Sequence, residues 1–264
     1  MEKDQTQRLF VRIFLACFLS VLFGRSSAPA ENAGNEFPAS GKVIRVADGD
    51  TVTIRFADRV ERRVRLIGVD APEMSDPRED VAFQAFLSQR FTVHHLYGRN
   101  VRLTYDFVHL DEHGRVLAYV WLGRRELFND LIIRQGFAFA FLKYPFRKDY
   151  EERFRTAAAE ARKNDRGFWR RTPPAVISAS EVRSRIGEVV SVRYRCADIS
   201  RKRSFIYLRS PEGAFEAAVP RLRLALIPGV EACAGKEIVV TGFLEEFMGK
   251  PQIVLNFPRQ LRLT

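Results

Sequence analysis

One stretch, residues 46–73 (VADGDTVTIRFADRVERRVRLIGVDAPE), constrains the fold of this 264-residue chain more than any other. Apolar and polar residues alternate over residues 53–56 and again over 63–66, which is the period of β-strands. Residues 41–46 predict a strand before them, and Asp48-Gly49 supplies the turn chemistry between the first two strands. We expect this meander to bring Asp50, at the start of its second strand, close to Asp70, at the end of its third.

The same stretch holds three carboxylates and an arginine, namely Asp50, Asp70, Glu73 and Arg65. Acidic side chains that converge at strand ends suit a hard cation with oxygen ligands, such as Ca²⁺. Two-metal sites usually draw on more carboxylates, so the pattern favours a single ion. An arginine beside them suits a phosphate, because the guanidinium donates two parallel hydrogen bonds and keeps its charge.

Three motifs carry a resemblance to a known family. DGDT at residues 48–51, RLIGVDAPE at 65–73 and DEHGRVLAYV at 111–120 resemble, in unbroken order, the signature blocks of the staphylococcal nuclease (thermonuclease) family. The similarity runs from about residue 41 to residue 169. It implies a five-stranded OB-type barrel with helices packed against it.

The resemblance also implies roles for individual residues. Asp50, Asp70 and the backbone carbonyl of Ala71 correspond to ligands of one Ca²⁺ ion; the family often has threonine where Ala71 stands, so a hydroxyl contact is lost. Glu73 corresponds to the general base or water-orienting carboxylate.

Two arginines, Arg65 and Arg115, correspond to the family's phosphate clamps. His113 stands where the family often has an aromatic residue near the bound nucleotide. The base-stacking pocket corresponds to residues 141–144, and we select Tyr144 as its substrate-binding residue.

The N-terminus has the pattern of a signal peptide over residues 1–30. Lys3, Arg8 and Arg12 precede an apolar run at 13–23, and Ala28-Pro29-Ala30 offers a signal-peptidase site. The run is shorter than the ~20 residues that a spanning helix needs. We therefore expect cleavage after Ala30, export to the periplasm or medium, and no stable membrane association afterwards; an uncleaved anchor is the alternative.

Residues 31–40 have the composition of a linker, and residues 41–170 form the predicted nuclease domain. Its first helix is expected to start with Asp76 as N-cap and to stop near Gly98. Strands are predicted at 100–107 and 116–122, helices at about 126–135 and 148–164, and an extended segment at 137–142.

A second linker, residues 171–180, leads to a predicted OB-like domain at 181–264. It contains five alternating segments, with a possible short helix at 222–226: 186–194, 204–209, 214–219, 237–243 and 251–256. The predicted fold class is thus mainly β with α: an OB-type five-stranded barrel with three helices, followed by a second small OB-like barrel. Tyr194, Phe205 and Tyr207 are candidates for base stacking or for the core.

Cys196 and Cys233 are the two cysteines that remain after the predicted cleavage. In an exported protein such a pair can form a disulfide, and two buried thiols are the alternative. Their spacing does not match a metal site.

The net charge of +11 indicates a polyanionic partner, either nucleic acid or an anionic membrane surface. Together with the motifs it predicts a Ca²⁺-dependent, largely sequence-nonspecific nuclease that acts on DNA and RNA and favours single strands. A catalytically silent nucleic-acid-binding protein of the same fold is the alternative. A structural envelope protein is a third possibility, but it gives no reason for the set of carboxylates and arginines.

Overall fold

The structure is a computed structural model in which residues 37–264 are described, so the predicted signal segment at 1–30 lies outside the described residues. Residues 38–264 form one compact unit. Within this part of the chain, no helix has the length and apolar character needed to cross a membrane.

Five strands close the first barrel. They are β1 (Ser40–Val46), β2 (Thr51–Arg55), β3 (Glu61–Leu66), β5 (Asn100–Thr104) and β6 (Val116–Leu122). The pairing order is β1-β2-β3-β6-β5-β1, antiparallel throughout except for the parallel β3–β6 pair. Val43, Ile54, Val64 and Leu103 fill the interior. The alternation in the sequence therefore predicted the inward faces correctly.

Three helices pack on this barrel: α1 (Glu79–Leu96), α2 (Phe128–Arg134) and α3 (Lys148–Lys163). The predicted N-cap of α1 was wrong, because the helix begins at Glu79 with Arg78 at the cap position. Asp76 instead accepts hydrogen bonds from the backbone nitrogen of Arg78, at 2.9 Å, and from its guanidinium. A carboxylate that bonds two residues ahead forms a local turn, and Pro77 disfavours helical geometry at Asp76.

The second helix is shorter than predicted because residues before it join the sheet. Strand β7 (Glu126–Leu127) pairs with β6, and α2 starts only at Phe128. The third helix agrees with the prediction, with Phe154, Ala157 and Ala161 buried. Two short strands, β4 (Val69–Asp70) and β8 (Phe139–Ala140), pair with each other outside the barrel.

The C-terminal region forms a second barrel with the same strand order. Its strands are β10 (Val189–Arg195), β11 (Asp198–Arg201), β12 (Phe205–Arg209), β13 (Glu216–Pro220), β14 (Glu237–Phe247) and β15 (Lys250–Val254). If β10 and β11 are taken as one bent first strand, the order β11-β12-β13-β15-β14-β10 repeats that of the first barrel, including a parallel pair, β13–β15. The OB-like prediction is confirmed in this topology.

The sequence missed three short strands of this region: β9 (Val176–Ser178), β11 and β16 (Leu261–Leu263). Strand β9 lies inside the stretch predicted as a linker and pairs in parallel with β10. The possible helix at 222–226 is a 3₁₀ helix at Arg221–Leu226.

Tyr194 belongs to the core of the second barrel, so its candidacy for base stacking was wrong. It is 4% exposed, lies edge-on to Phe215 with ring centroids 5.1 Å apart, and donates its hydroxyl to the carbonyl of Leu208 at 2.9 Å. Phe205 and Tyr207, in contrast, lie half-buried on the outer face of β12.

Both cysteines are buried free thiols, so the possible disulfide does not form in this structure. The Cys196 thiol donates to the carbonyl of Asp198 at 3.6 Å, and the Cys233 thiol donates to the carbonyl of Gly229 at 3.2 Å. Burial raises the pKa of both thiols, that of Cys233 to about 11, so both stay protonated and unreactive near neutral pH.

Helix α1 joins the two barrels. Phe91 on the helix contacts Phe243 on β14 with ring centroids 6.0 Å apart, and Phe83 contacts Phe257 at 5.5 Å. Arg90 of the helix forms an ion pair with the buried Glu245 of β14. An apolar interface that also contains a buried ion pair holds the barrels in contact along α1.

Candidate active site

The turn between β1 and β2 has no room for a side chain at its centre. A Cβ atom on Gly49 would lie 1.8 Å from Oγ of Ser88 and 2.7 Å from Cβ of Ala71. The backbone nitrogen of Asp50 donates to Oδ1 of Asp48 at 3.2 Å. Glycine at position 49 therefore lets this turn pack directly against α1 and against the loop that contains Ala71.

Asp50 is buried at the end of this turn. Its Oδ2 accepts a hydrogen bond from the backbone nitrogen of Ala71 at 2.7 Å, and its Oδ1 accepts one from the Thr51 hydroxyl at 3.0 Å. Desolvation by burial raises the pKa of Asp50 to about 7, against the lowering effect of Arg65, and Asp48 contributes to the rise. A nearby positive charge favours the ionised form of this carboxylate.

Arg65 supplies that charge and connects the two predicted metal ligands. Its guanidinium forms an ion pair with Oδ2 of Asp50, and its Nη2 lies 3.5 Å from Oδ1 of Asp70. The predicted convergence of Asp50 and Asp70 is present, although Asp70 does not end the third strand. The chain leaves the barrel after Leu66, turns at Gly68, and places Asp70 on the separate strand β4.

Two side chains of α1 hold the same turn, and the sequence analysis missed both. The Thr92 hydroxyl donates to the carbonyl of Gly49 at 2.8 Å, and Nε2 of Gln89 donates to the carbonyl of Ala47 at 2.8 Å. Their spacing of three residues places them on neighbouring parts of one helix face. The sequence shows both as polar residues of a helix that also carries buried apolar residues. It could not show their partners, which lie more than 40 residues away in the chain.

Glu73 lies in an exposed loop, two residues beyond Ala71. The loop turns back on itself, since the backbone nitrogen of Asp76 donates to the carbonyl of Glu73 at 3.2 Å. Because Ala71 is bonded to Asp50, the loop is anchored at the carboxylate cluster while the Glu73 side chain stays open to solvent. An exposed carboxylate next to a charged cluster can take a proton from water.

Arg115 is held by a different carboxylate. Its Nε donates to Oδ2 of Asp111 at 2.6 Å, and its backbone nitrogen donates to Oδ1 of the same residue at 2.9 Å. Partial burial acts to raise the pKa of Asp111, but these hydrogen bonds outweigh it and the pKa is lowered. The structure thus ties Arg115 to its own turn rather than to Asp50.

The register of the sheet nevertheless brings Arg115 to the side of the barrel that carries Arg65. Val116 pairs with Val64 and Leu117 pairs with Arg65 in the parallel β3–β6 ladder. Residue 115 therefore lies immediately before β6, the strand that pairs with the Arg65 strand. Side chains alternate along a strand, so residue 115 is on the same outer side of the barrel as residue 117. Arg65 on β3 and Arg115, immediately before β6, therefore flank this side of the barrel.

The sequence that carries this arrangement is similar to proteins of a known family. Residues 63–171 match the family model described as staphylococcal nuclease homologue. The thermonuclease of Staphylococcus hyicus is 38% identical over 169 residues, which cover 63% of this chain and 98% of that protein. The thermonuclease of Staphylococcus intermedius is 43% identical over 129 residues, 49% of this chain and 75% of that protein. The chain belongs to the staphylococcal nuclease family.

A further relative lies outside the staphylococci. An Escherichia coli protein described as an uncharacterized endonuclease is 29% identical over 134 residues, 51% of this chain and 79% of that protein. The matched family region ends at residue 171, so the second barrel is an addition to the staphylococcal nuclease domain.

The two predicted substrate-binding residues of the nuclease domain are both exposed. His113 lies at the tip of the turn that carries Arg115, and its backbone nitrogen donates to Asp111 at 2.9 Å. Tyr144 lies edge-on to Phe141 with ring centroids 5.7 Å apart, and Nζ of Lys143 is 5.6 Å from the Tyr144 ring. Both side chains are accessible to a ligand, and their role in binding stays a prediction.

The residues present fit a single hard cation. Within residues 37–264, no group of three or more His, Cys, Asp or Glu side chains is placed to enclose a metal ion. Asp50 and Asp70 nevertheless approach a common positive group, the Arg65 guanidinium, which acts as a stand-in cation between them. Asp50 and Asp70 would supply two carboxylate ligands to such an ion and leave its remaining coordination positions to other oxygens, as a hard ion accepts.

Proposed function

We propose that this protein is a Ca²⁺-dependent nuclease that hydrolyses phosphodiester bonds in DNA and RNA with little sequence preference. The observation that carries the proposal is the cluster in which Arg65 contacts Asp50 and approaches Asp70, one short loop away from the exposed Glu73. Membership of the staphylococcal nuclease family, with thermonucleases among the relatives, supports phosphodiester hydrolysis by the same domain.

The arginines bind the phosphate. A guanidinium can donate two hydrogen bonds to the oxygens of one phosphate, and these bonds strengthen as negative charge builds up on the phosphorus centre. Arg65 and Arg115 would exchange their contacts with Asp50 and Asp111 for contacts with substrate oxygens. The aspartates thus hold both arginines in place before substrate arrives.

Glu73 is the proposed general base. A water molecule attacks phosphorus and its proton passes to the Glu73 carboxylate. The bond from phosphorus to one ester oxygen breaks, and that oxygen leaves as an alkoxide that takes a proton from solvent water. An exposed position on a loop suits this task, because the side chain can move to the attacking water.

The Ca²⁺ ion would be held by Asp50, Asp70 and the carbonyl of Ala71. When bound, it supplies positive charge to a non-bridging phosphate oxygen and helps to place the water. Ala71 is itself fixed by the hydrogen bond from its backbone nitrogen to Asp50, which orders the loop that carries the third ligand.

Phosphate-directed contacts explain the proposed lack of sequence preference, because clamps on the backbone do not read base edges. The net charge of +11 supports binding to a polyanion that weakens as salt concentration rises. We propose single strands as the favoured form. We also propose that the protein is exported to the periplasm or medium and keeps no stable membrane association after removal of residues 1–30.

A matched pair of variants tests the proposal. The chain from Glu31 onward and its Glu73→Gln and Glu152→Gln variants are incubated with single-stranded and duplex DNA in Ca²⁺, in Mg²⁺ and in chelator. Glu152 is an exposed carboxylate on α3 and serves as the control. We expect cleavage in Ca²⁺ that chelator stops, that Glu73→Gln lowers by orders of magnitude and that Glu152→Gln leaves unchanged.

Other outcomes separate the alternatives. Equal cleavage by all three proteins would remove Glu73 from the mechanism. Salt-sensitive binding without any cleavage in Ca²⁺ would overturn the nuclease proposal and identify a nucleic-acid-binding protein with the nuclease fold.

A further inference from the structure

The outer face of β12 carries two adjacent aromatic rings. Burial alternates along the strand, with Ile206 and Leu208 in the core and Phe205 and Tyr207 half-buried outside it. The ring centroids of Phe205 and Tyr207 are 6.0 Å apart and the planes differ by 32°. Two rings side by side on a barrel surface form a platform with one side open to solvent.

A basic group adjoins the start of this strand. The backbone nitrogen of Arg221 donates to the carbonyl of Ser204 at 3.0 Å, which brings the 3₁₀ helix Arg221–Leu226 against the turn between β11 and β12. This turn and the start of the 3₁₀ helix carry five cations: Arg201, Lys202, Arg203, Arg221 and Arg223.

Most of this charge has no neutralising partner. Arg201 pairs with Glu231. Lys202, Arg203 and Arg223 are exposed, and none of them pairs with a carboxylate in the part of the chain that the structure describes. Exposed cations beside an aromatic platform match the charge of a phosphate backbone.

The ion pairs of Arg209 mark the end of the basic surface on β12. Arg209, the next outward residue after Tyr207, has its Nε 3.5 Å from Oε2 of Glu216 and its Nη1 3.7 Å from Oδ2 of Asp198. Its charge is thus balanced within the barrel. Among the cations of residues 201–209, those without a carboxylate partner in the described part of the chain are Lys202 and Arg203, which precede Phe205.

We infer that this aromatic–basic face, made of Phe205, Tyr207 and the cations of residues 201–203 and 221–223, binds single-stranded nucleic acid. Bases of a single strand would stack on the two rings, while its phosphates contact the cations. A duplex keeps its bases stacked on one another and would gain only the electrostatic part. The inference deepens the proposed function, since it assigns the second barrel to the substrate class of the nuclease.

The test is performed with the full mature chain in chelator, so that cleavage does not interfere. Binding of short fluorescent oligo(dT) and oligo(U) is followed by fluorescence anisotropy over a range of salt concentrations. The double variant Phe205→Leu/Tyr207→Leu keeps apolar side chains on β12 but removes the rings. We expect its affinity to fall about 10-fold or more, because the bases lose the rings on which they stack. The salt dependence should not change, because no cation is removed.

A charge variant and a matched control complete the experiment. Lys202→Ser/Arg203→Ser/Arg223→Ser removes three free cations from the face, and Arg193→Ser/Lys236→Ser/Arg262→Ser removes three exposed cations elsewhere on the same barrel. Each lost phosphate contact lowers the slope of log K against log salt by about 0.7 for a single strand. We expect a decrease of about 2 for the first variant and none for the control.

Several results would overturn the inference. These are unchanged binding by the ring variant, equal losses in the two charge variants, or competition by inorganic polyphosphate as strong as competition by oligo(dT). Stronger binding of oligo(U) than of oligo(dT), or the reverse, would identify RNA or DNA as the ligand and supports the site in either case. Cleavage in Ca²⁺ is measured separately, so loss of the binding site and failure of the nuclease proposal are distinguishable.

Discussion

The guanidinium of Arg90, on α1, donates from Nε to Oε2 of Glu245, on β14, at 3.0 Å. The Glu245 carboxylate also accepts a hydrogen bond from Gln252 at 2.9 Å. The same helix holds the Asp48–Asp50 turn through Gln89 and Thr92. A single helix therefore contacts both the candidate active site and the second barrel.

Loss of Glu245 should destabilise the protein. The variant Glu245→Ala leaves the Arg90 charge, only 20% exposed, without its partner at the interface. Removing one partner of a fully buried ion pair lowers the unfolding free energy by about 3–5 kcal/mol. Because Arg90 is partly exposed, we expect a smaller loss of about 2–3 kcal/mol. Urea denaturation measures it.

The neighbouring Glu246 supplies the control for this prediction. Glu246 is exposed, and its carboxylate makes a long, solvent-exposed contact of 3.7 Å with Arg183. Glu246→Ala should therefore lower the unfolding free energy by less than about 1 kcal/mol. Equal losses in the two variants would show that the Arg90–Glu245 pair has no special role.

Removal of one hydroxyl should loosen the active-site turn. Thr92→Val keeps the shape of a fully buried side chain but deletes the donor to the carbonyl of Gly49. An unpaired buried carbonyl costs about 1–3 kcal/mol, and a looser Asp48–Asp50 turn should lower the cleavage rate as well. Unfolding and cleavage are measured on the same preparation.

Thr156→Val is the matched substitution for Thr92→Val. Thr156 donates within α3 to the carbonyl of Glu152 at 3.0 Å on an exposed face, where water can replace the bond. Both its stability and its cleavage rate should stay near those of the parent. A Thr92→Val protein with parental activity would show that the helix does not position the turn.

Acid should destabilise the interface region through His95. Burial lowers the pKa of His95 to about 4, from an ordinary value near 6.5, and burial lowers that of His94 as well. Between these pH values the unfolded chain binds more protons than the folded one, so the contribution of His95 to the unfolding free energy is lost as pH decreases from about 6.5 to about 4. The expected loss from His95 is about 3 kcal/mol.

The charged neighbours act together with these histidines. Arg99 and Arg90 oppose protonation of His94, whereas Glu245 and Glu246 favour it. Comparing the pH dependence of urea denaturation in His95→Leu and in the exposed control His113→Gln isolates the contribution of His95. A parental slope in His95→Leu would contradict the prediction.

The two thiols should be inaccessible and reduced. With Cys196 and Cys233 buried and their pKa values raised, a thiol reagent should react with neither in the folded protein and with both after denaturation without reductant. The thermal midpoint should not change when reductant is added. Absence of free thiols in the denatured, unreduced protein would instead demonstrate a disulfide.

The sequence by itself determined much of this protein. Alternation of apolar residues predicted most strands of both barrels, and three motifs identified the family and the residues of the candidate site. These signals are local, because inward and outward positions of a strand or helix follow from residues two to four apart. The positions of Asp50 and Asp70 along the chain were therefore enough to predict that they approach each other.

Only the tertiary structure decided which residues far apart in the chain contact one another outside the carboxylate cluster. The Arg90–Glu245 pair spans 155 residues, and Thr92 reaches a carbonyl 43 residues away. The packing of the barrels also placed Tyr194 in the core and left Phe205 and Tyr207 outside. Such contacts depend on how whole elements pack to bury apolar surface, and a local pattern contains no information about which surface will cover it.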